Sequence, residues 1–131
     1  MNIFYCDDDP DDIDFFKEVI KRIDPKITLT ACSDALTGLD TLTTLDPIPD
    51  FIFFDSCMPP SDGIECVISV KRNQKLKKIP VVMISDNLDR KQIRDYNMLG
   101  VYMFISKTNL EDLEQSLRSI LLLNSTEVNK K

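Results

Sequence analysis

Apolar residues fall along this chain in short runs that alternate with stretches of helical period. Ile3–Cys6 is a compact apolar run and predicts a buried strand. Asp9 then stands as a helix N-cap with Pro10 at the first helical position and Asp11 and Asp12 in the first turn. Ile13, Phe16, Ile20 and Ile23 share one face of that helix. Ile27–Ala31 alternates as a second strand, and Leu36, Leu39, Leu42 and Leu45 space out a second helix that Pro47 and Pro49 close. Phe51–Phe54 predicts a strand buried on both faces. A loop from Asp55 to Gly63 leads into a helix over Ile64–Asn73. Val81–Ile84 is the next buried strand, a weaker helix covers Asp89–Leu99, and Val101–Ile105 is the last strand. Leu110, Leu113, Leu117 and Ile120 mark the closing helix.

Strand and helix in regular alternation predict an α/β fold, a parallel sheet with helices on both faces. Such sheets bind ligands at the carboxyl ends of their strands. That rule singles out Asp7-Asp8-Asp9, Asp55, Ser85 and Lys107, each directly after a predicted strand. A chain of 131 residues accommodates one domain, expected over residues 1–123, with a flexible polar tail over 124–131.

Charge and composition narrow the chemistry. The net charge of -6 disfavours direct binding to nucleic acid or an anionic membrane, which reward basic surfaces. No apolar run is long enough to span a bilayer, and the first residues lack the pattern of a secretory signal, so the expected location is the cytoplasm. The cysteines, Cys6, Cys32, Cys57 and Cys66, show no C-x-x-C spacing, which predicts reduced thiols rather than zinc. The chain contains no histidine, so a Ser-His-Asp or Cys-His arrangement within it is excluded.

Carboxylates from two strand ends would meet at one sheet edge and repel one another, and the site therefore calls for a cation. Oxygen ligands suit a hard divalent ion, best Mg²⁺. Lys107 adds a positive charge and Ser85 a hydroxyl donor. Carboxylates, metal, lysine and hydroxyl together suit phosphoryl transfer, where positioning and charge neutralisation dominate. Singly, each residue has an ordinary alternative: Asp9 a cap, Asp55 a turn residue, Ser85 a strand-end hydroxyl, Lys107 a solvated lysine. It is their coincidence at strand ends that points to a site.

The segments Ile3 to Pro10, Phe53 to Gly63 with its Asp55…Met58-Pro59…Asp62-Gly63 loop, Val82 to Ser85 and Phe104 to Lys107 resemble, in order, the motifs of response-regulator receiver domains. The resemblance is to the CheY-like, single-domain members. It implies a flavodoxin-like, doubly wound five-stranded parallel sheet in the order 2-1-3-4-5. It also implies a phosphoacceptor switch rather than an enzyme, with Asp55 accepting the phosphoryl group. Asp8 would bind Mg²⁺ directly, Asp7 mainly through water, and Cys57 through its backbone carbonyl. Ser85 would donate to the phosphoryl group, Lys107 would pair with it, and Phe104 would rotate inward behind Ser85. Gly63 would allow the tight turn after the loop. Cys57 and Asn87 fall where the family tunes phosphoryl lifetime. The implied partners are a sensor histidine kinase or a histidine phosphotransfer protein, and a downstream protein that the sequence does not name. The changing face would lie on the last two helices and the strand between them, with Tyr96 and Tyr102 as exposed anchors, and would allow a weak homodimer.

Two positions depart from the family pattern. Val101 stands where alanine is common and would crowd the movement of Ser85, and Thr108 replaces the usual proline after Lys107. A cis bond before a non-proline residue costs about 2.5–4 kcal/mol, so Lys107–Thr108 is expected to be trans, with Thr108 and Glu111 forming a capping box. Two other function classes remain open. One is a haloacid-dehalogenase-like phosphatase with Asp7 as nucleophile and Asp9 as general acid. The other is a receiver-like binding module that is never phosphorylated.

Overall fold

The computed structural model describes residues 1–58, 61–85, 88–106 and 110–129, and for 57, 58, 61, 62, 110 and 123–129 the backbone alone. Five strands, β1 (Asn2–Cys6), β2 (Thr28–Cys32), β3 (Phe51–Asp55), β6 (Val81–Ser85) and β7 (Met103–Ser106), form one sheet. Its order is β2-β1-β3-β6-β7 and every neighbouring pair is parallel, the expected 2-1-3-4-5 arrangement. A short antiparallel ladder, β4 (Cys57–Met58) with β5 (Ser61–Asp62), lies inside the segment predicted to be a plain loop. The helices are α1 (Pro10–Ile23), α2 (Ala35–Thr44), α3 (Gly63–Arg72), α4 (Arg90–Met98) and α5 (Leu110–Asn129).

Side chains of successive strand residues point to opposite faces, so each central strand feeds two cores. Phe4, Cys6, Ile52, Phe54, Val81 and Met83 pack on the side of α2, α3 and α4. Ile3, Tyr5, Phe51, Phe53, Val82 and Ile84 pack on the side of α1 and α5. Both faces are covered, which is why these strands read as unbroken apolar runs.

The capping expectations for α1 hold. Asp9 accepts a hydrogen bond from the Asp11 N–H at 2.9 Å, and Pro10 opens the helix. At α4, Asp89 and Gln92 form a reciprocal capping box, at 2.8 and 3.0 Å. The helix ends on Gly100, whose φ of 86° is the left-handed conformation that glycine adopts without strain. Gly100 N–H donates to the Asn97 carbonyl and Val101 N–H to the Tyr96 carbonyl. Val101, predicted to open the last strand, therefore belongs to this turn, and the strand starts at Met103.

The second helix keeps Leu39, Leu42 and Leu45 of the predicted stripe on the core, Leu42 buried and the other two partly buried, and departs from it at Leu36. Ala35, Gly38 and Leu42 are buried, whereas Leu36 is 71% exposed. Gly38 bears on that departure: a Cβ there would sit 3.0 Å from the Cys6 Sγ, so the small residues Ala35 and Gly38 let the helix lie close against β1. The last helix continues through Asn129 and takes in most of the polar segment set apart as a tail. No helix among the described residues is long and apolar enough to cross a membrane. Lys107, Thr108 and Asn87, and with them the geometry of the Lys107–Thr108 bond, lie outside the described residues.

Candidate functional site

Strand register brings the acidic residues together. Cys6 pairs with Phe54, so Asp7 leaves β1 level with Asp55 at the end of β3. Asp55 pairs in turn with Ile84, placing Ser85 one step further on β6. Ser85 pairs with Ser106, the residue before Lys107. The Ser56 N–H donates to the Ile84 carbonyl at 3.1 Å and fixes the path of the chain just after Asp55.

Asp7 and Asp55 are the buried charged residues among those described, while Asp8 is exposed. One carboxylate oxygen from each of Asp7, Asp8 and Asp55 lies within 4.8 Å of the other two. Like charges this close repel, and an oxygen-rich cluster of this kind suits a hard divalent cation. Asp7 is held from two directions. Its Oδ2 accepts from the Tyr5 hydroxyl, and its Oδ1 accepts from the Asp9 N–H at 3.0 Å. Burial, followed by the hydrogen bond to Asp7 and the charges of Asp7, Asp55 and Asp12, pushes Tyr5 above the ordinary phenol range, so it stays a donor. As a phosphatase the chain would need Asp9 as general acid, yet the Asp9 carboxylate is engaged in capping α1.

A model of the response regulator receiver domain family matches residues 3–118. The chain belongs to that family. The receiver domain is 27% identical over 124 residues to the response regulator Rcp1 of Synechocystis, covering 90% of this chain and 84% of that one. It is 29% identical over 98 residues to the chemotaxis protein CheY-3 of Vibrio cholerae, covering 74% and 75% of the two chains. Among solved structures it is similar to the phosphorylated cyanobacterial phytochrome response regulator RcpA, with a TM-score of 0.82, 27% identity, and 91% and 89% of the chains covered. The Mn²⁺-bound form of Rcp1 gives a TM-score of 0.79 at 27% identity, with 91% and 90% covered.

The other residues expected at the site fall as follows. The Cys57 backbone lies in the short ladder opposite Asp62. Phe104 is half-buried and meets the ring of Tyr96 edge-on, with centroids 6.0 Å apart. Tyr96 is therefore no exposed anchor. It is 3% exposed and belongs to the core, whereas Tyr102 is half exposed as expected. The Tyr96 hydroxyl also explains Gly63, where a Cβ would collide with it and with the Met83 methyl. The left-handed conformation among the described glycines is at Gly100, so Gly63 serves close approach rather than an unusual turn.

Two contributors were missed in the sequence, Tyr5 and the Tyr96–Gly63 contact. Tyr5 had a partial signal: residues two apart on an extended chain share a face, which puts Tyr5 on the same side of the sheet as Asp7. The Tyr96–Gly63 contact joins distant elements and had none.

Proposed function

We propose that this receiver domain of a two-component response regulator works as a Mg²⁺-dependent phosphoacceptor switch, with Asp55 taking the phosphoryl group. The observation that carries this reading is the mutual approach of Asp7, Asp8 and Asp55 within 4.8 Å at the carboxyl end of the sheet. Asp7, Asp8, Asp55 and the Cys57 carbonyl would hold the ion. Bound there, Mg²⁺ supplies charge neutralisation for the carboxylates and for the phosphoryl oxygens. These residues include no histidine, so the donor phosphohistidine would lie outside them, on a sensor kinase or a phosphotransfer protein. An Asp55 oxygen attacks phosphorus, the P–N bond to the donor imidazole breaks, and the imidazole leaves with that electron pair and takes up a proton. The product is an acyl phosphate on Asp55.

Ser85 would donate to the phosphoryl oxygens and Lys107 would pair with them, while Cys57 and Asn87 set the lifetime. Phosphorylation favours the state in which Ser85 reaches that group and Phe104 follows, a population shift rather than a new fold. The rims of α4 and β7, where Met98, Tyr102 and Met103 are exposed, would carry the change to a partner in the cytoplasm.

Intact-mass measurement after treatment with a small acyl-phosphate donor tests the assignment. The wild type should gain one phosphoryl group with Mg²⁺, lose that gain in EDTA, and lose it in Asp55→Asn. A full gain in Asp55→Asn sinks the assignment, and a phosphoryl group mapped to Asp7 favours the phosphatase chemistry. No Mg²⁺ binding and no gain in the wild type leaves the domain as a binding module.

A further inference from the structure

Tyr5 is an unusual neighbour for a carboxylate cluster, because it reaches the cluster from inside the core. Its ring is buried and stacks on Phe16 of α1, with centroids 4.1 Å apart and planes 15° from parallel. Phe16 leans in turn on Phe53 of the neighbouring strand at 5.3 Å. Clamped between strand and helix, the phenol has little freedom to swing, and its hydroxyl ends on the Asp7 Oδ2. The other Asp7 oxygen meets the Asp9 N–H at the head of α1. Asp7 is fully buried, and these two donors are among the contacts that set its orientation.

We propose that Tyr5 is a positioning residue for the divalent cation: its hydroxyl holds the Asp7 carboxylate in the orientation that faces Asp8 and Asp55. This inference rests on the reading of those carboxylates as a Mg²⁺ site. A buried carboxylate deprived of one donor loses a charge-assisted hydrogen bond and turns to recover it elsewhere. Any such turn moves the Asp7 oxygen relative to the other two and weakens the site as a chelator. Outer partners of ligating carboxylates typically change metal affinity by about 10–100-fold.

Tyr5→Phe keeps the ring, the stack on Phe16 and nearly all of the volume, and removes only the donor. Calorimetric titration with Mg²⁺ should show a dissociation constant raised about tenfold or more. The Mg²⁺ needed for half-maximal phosphorylation by the small donor should rise in step. In the wild type, the nuclear magnetic resonance signal of the Tyr5 ring carbon bearing the hydroxyl should move on addition of Mg²⁺, with the same dissociation constant as calorimetry gives. A role confined to packing would leave both the affinity and that signal untouched. A folded Tyr5→Phe protein that binds Mg²⁺ like the wild type overturns the proposal while leaving the switch function standing. So does a Tyr5 signal that ignores Mg²⁺, a readout that decides even where the variant does not fold. A wild type that binds no Mg²⁺ overturns the underlying reading and this proposal with it.

Discussion

Removing one charge from the acidic cluster should make the metal-free protein more stable, and Asp8→Asn is the cleanest way to do it. The substitution keeps the shape of the side chain and deletes a charge whose oxygen lies within 4.8 Å of oxygens from both Asp7 and Asp55. Two unit charges at that distance repel by about 0.9 kcal/mol at the dielectric constant of water and about 3.5 kcal/mol at an effective value of 20. Asp8 is exposed, so the lower figure governs. Relief of two such repulsions then amounts to about 2 kcal/mol. The ammonium of Lys107, in its proposed place, and the freedom of an exposed side chain to turn outward reduce that to roughly 1 kcal/mol. For a domain of this size about 1 kcal/mol corresponds to roughly 4 °C in melting temperature.

Thermal unfolding followed by circular dichroism, in EDTA and in saturating Mg²⁺, provides the assay. In EDTA at low salt Asp8→Asn should melt roughly 4 °C above the wild type, and about 1 M NaCl should shrink the gap by screening. In Mg²⁺ the order should reverse. The wild type gains about 2.7 kcal/mol at a hundredfold excess over its dissociation constant by mass action, and the variant, with one ligand lost, gains less. The crossing of the two curves is the signature of a clustered, cation-binding site. An Asp8→Asn protein that melts below the wild type in EDTA refutes the repulsion, because a dispersed set of surface carboxylates has no such strain to relieve.

Two other outcomes follow from the packing. Gly63→Ala drives a methyl group into the Tyr96 hydroxyl and the Met83 methyl and should cost about 1–3 kcal/mol in urea denaturation; adding Tyr96→Phe should recover part of the loss, and no recovery would count against the contact. Burial first, with the neighbouring Cys66 and Cys32 thiols, pushes Cys6 up to about 12, so Cys6 should resist alkylation in the native protein at pH 8 while reacting freely in urea. An unfolded thiol ionises near 8.5. The folded form thus holds the extra proton between about 8.5 and 12, and this contribution to stability is present below that window and lost as pH rises through it. The urea midpoint should therefore fall more steeply above pH 8.5 in the wild type than in Cys6→Ala, and parallel slopes would remove Cys6 as the cause.

Local rules were enough to read much of this molecule from its residues. Apolar runs such as Phe51–Phe54 announce strands covered on both faces, because only a parallel sheet between helix layers buries every side chain. Asp9-Pro10 marks a helix start, because an N-cap satisfies orphan N–H groups next to it in the chain. Asp7, Asp8 and Asp55 could be named as a group because strand ends are predictable and ligands gather there. What depends on neighbours from far along the chain was decided by tertiary structure. Leu36 has the right helical spacing yet faces solvent, since Gly38 and Ala35 let α2 press its small-residue stripe on β1. Tyr96 has the polar tip of a surface anchor yet sits in the core, its hydroxyl in the space that Gly63 leaves open. Periodicity says which residues share a stripe. Which members of a stripe the core covers, and how close two carboxylates come, depends on the register and steric fit of elements distant in sequence, and those are settled only when the sheet and its helices pack together.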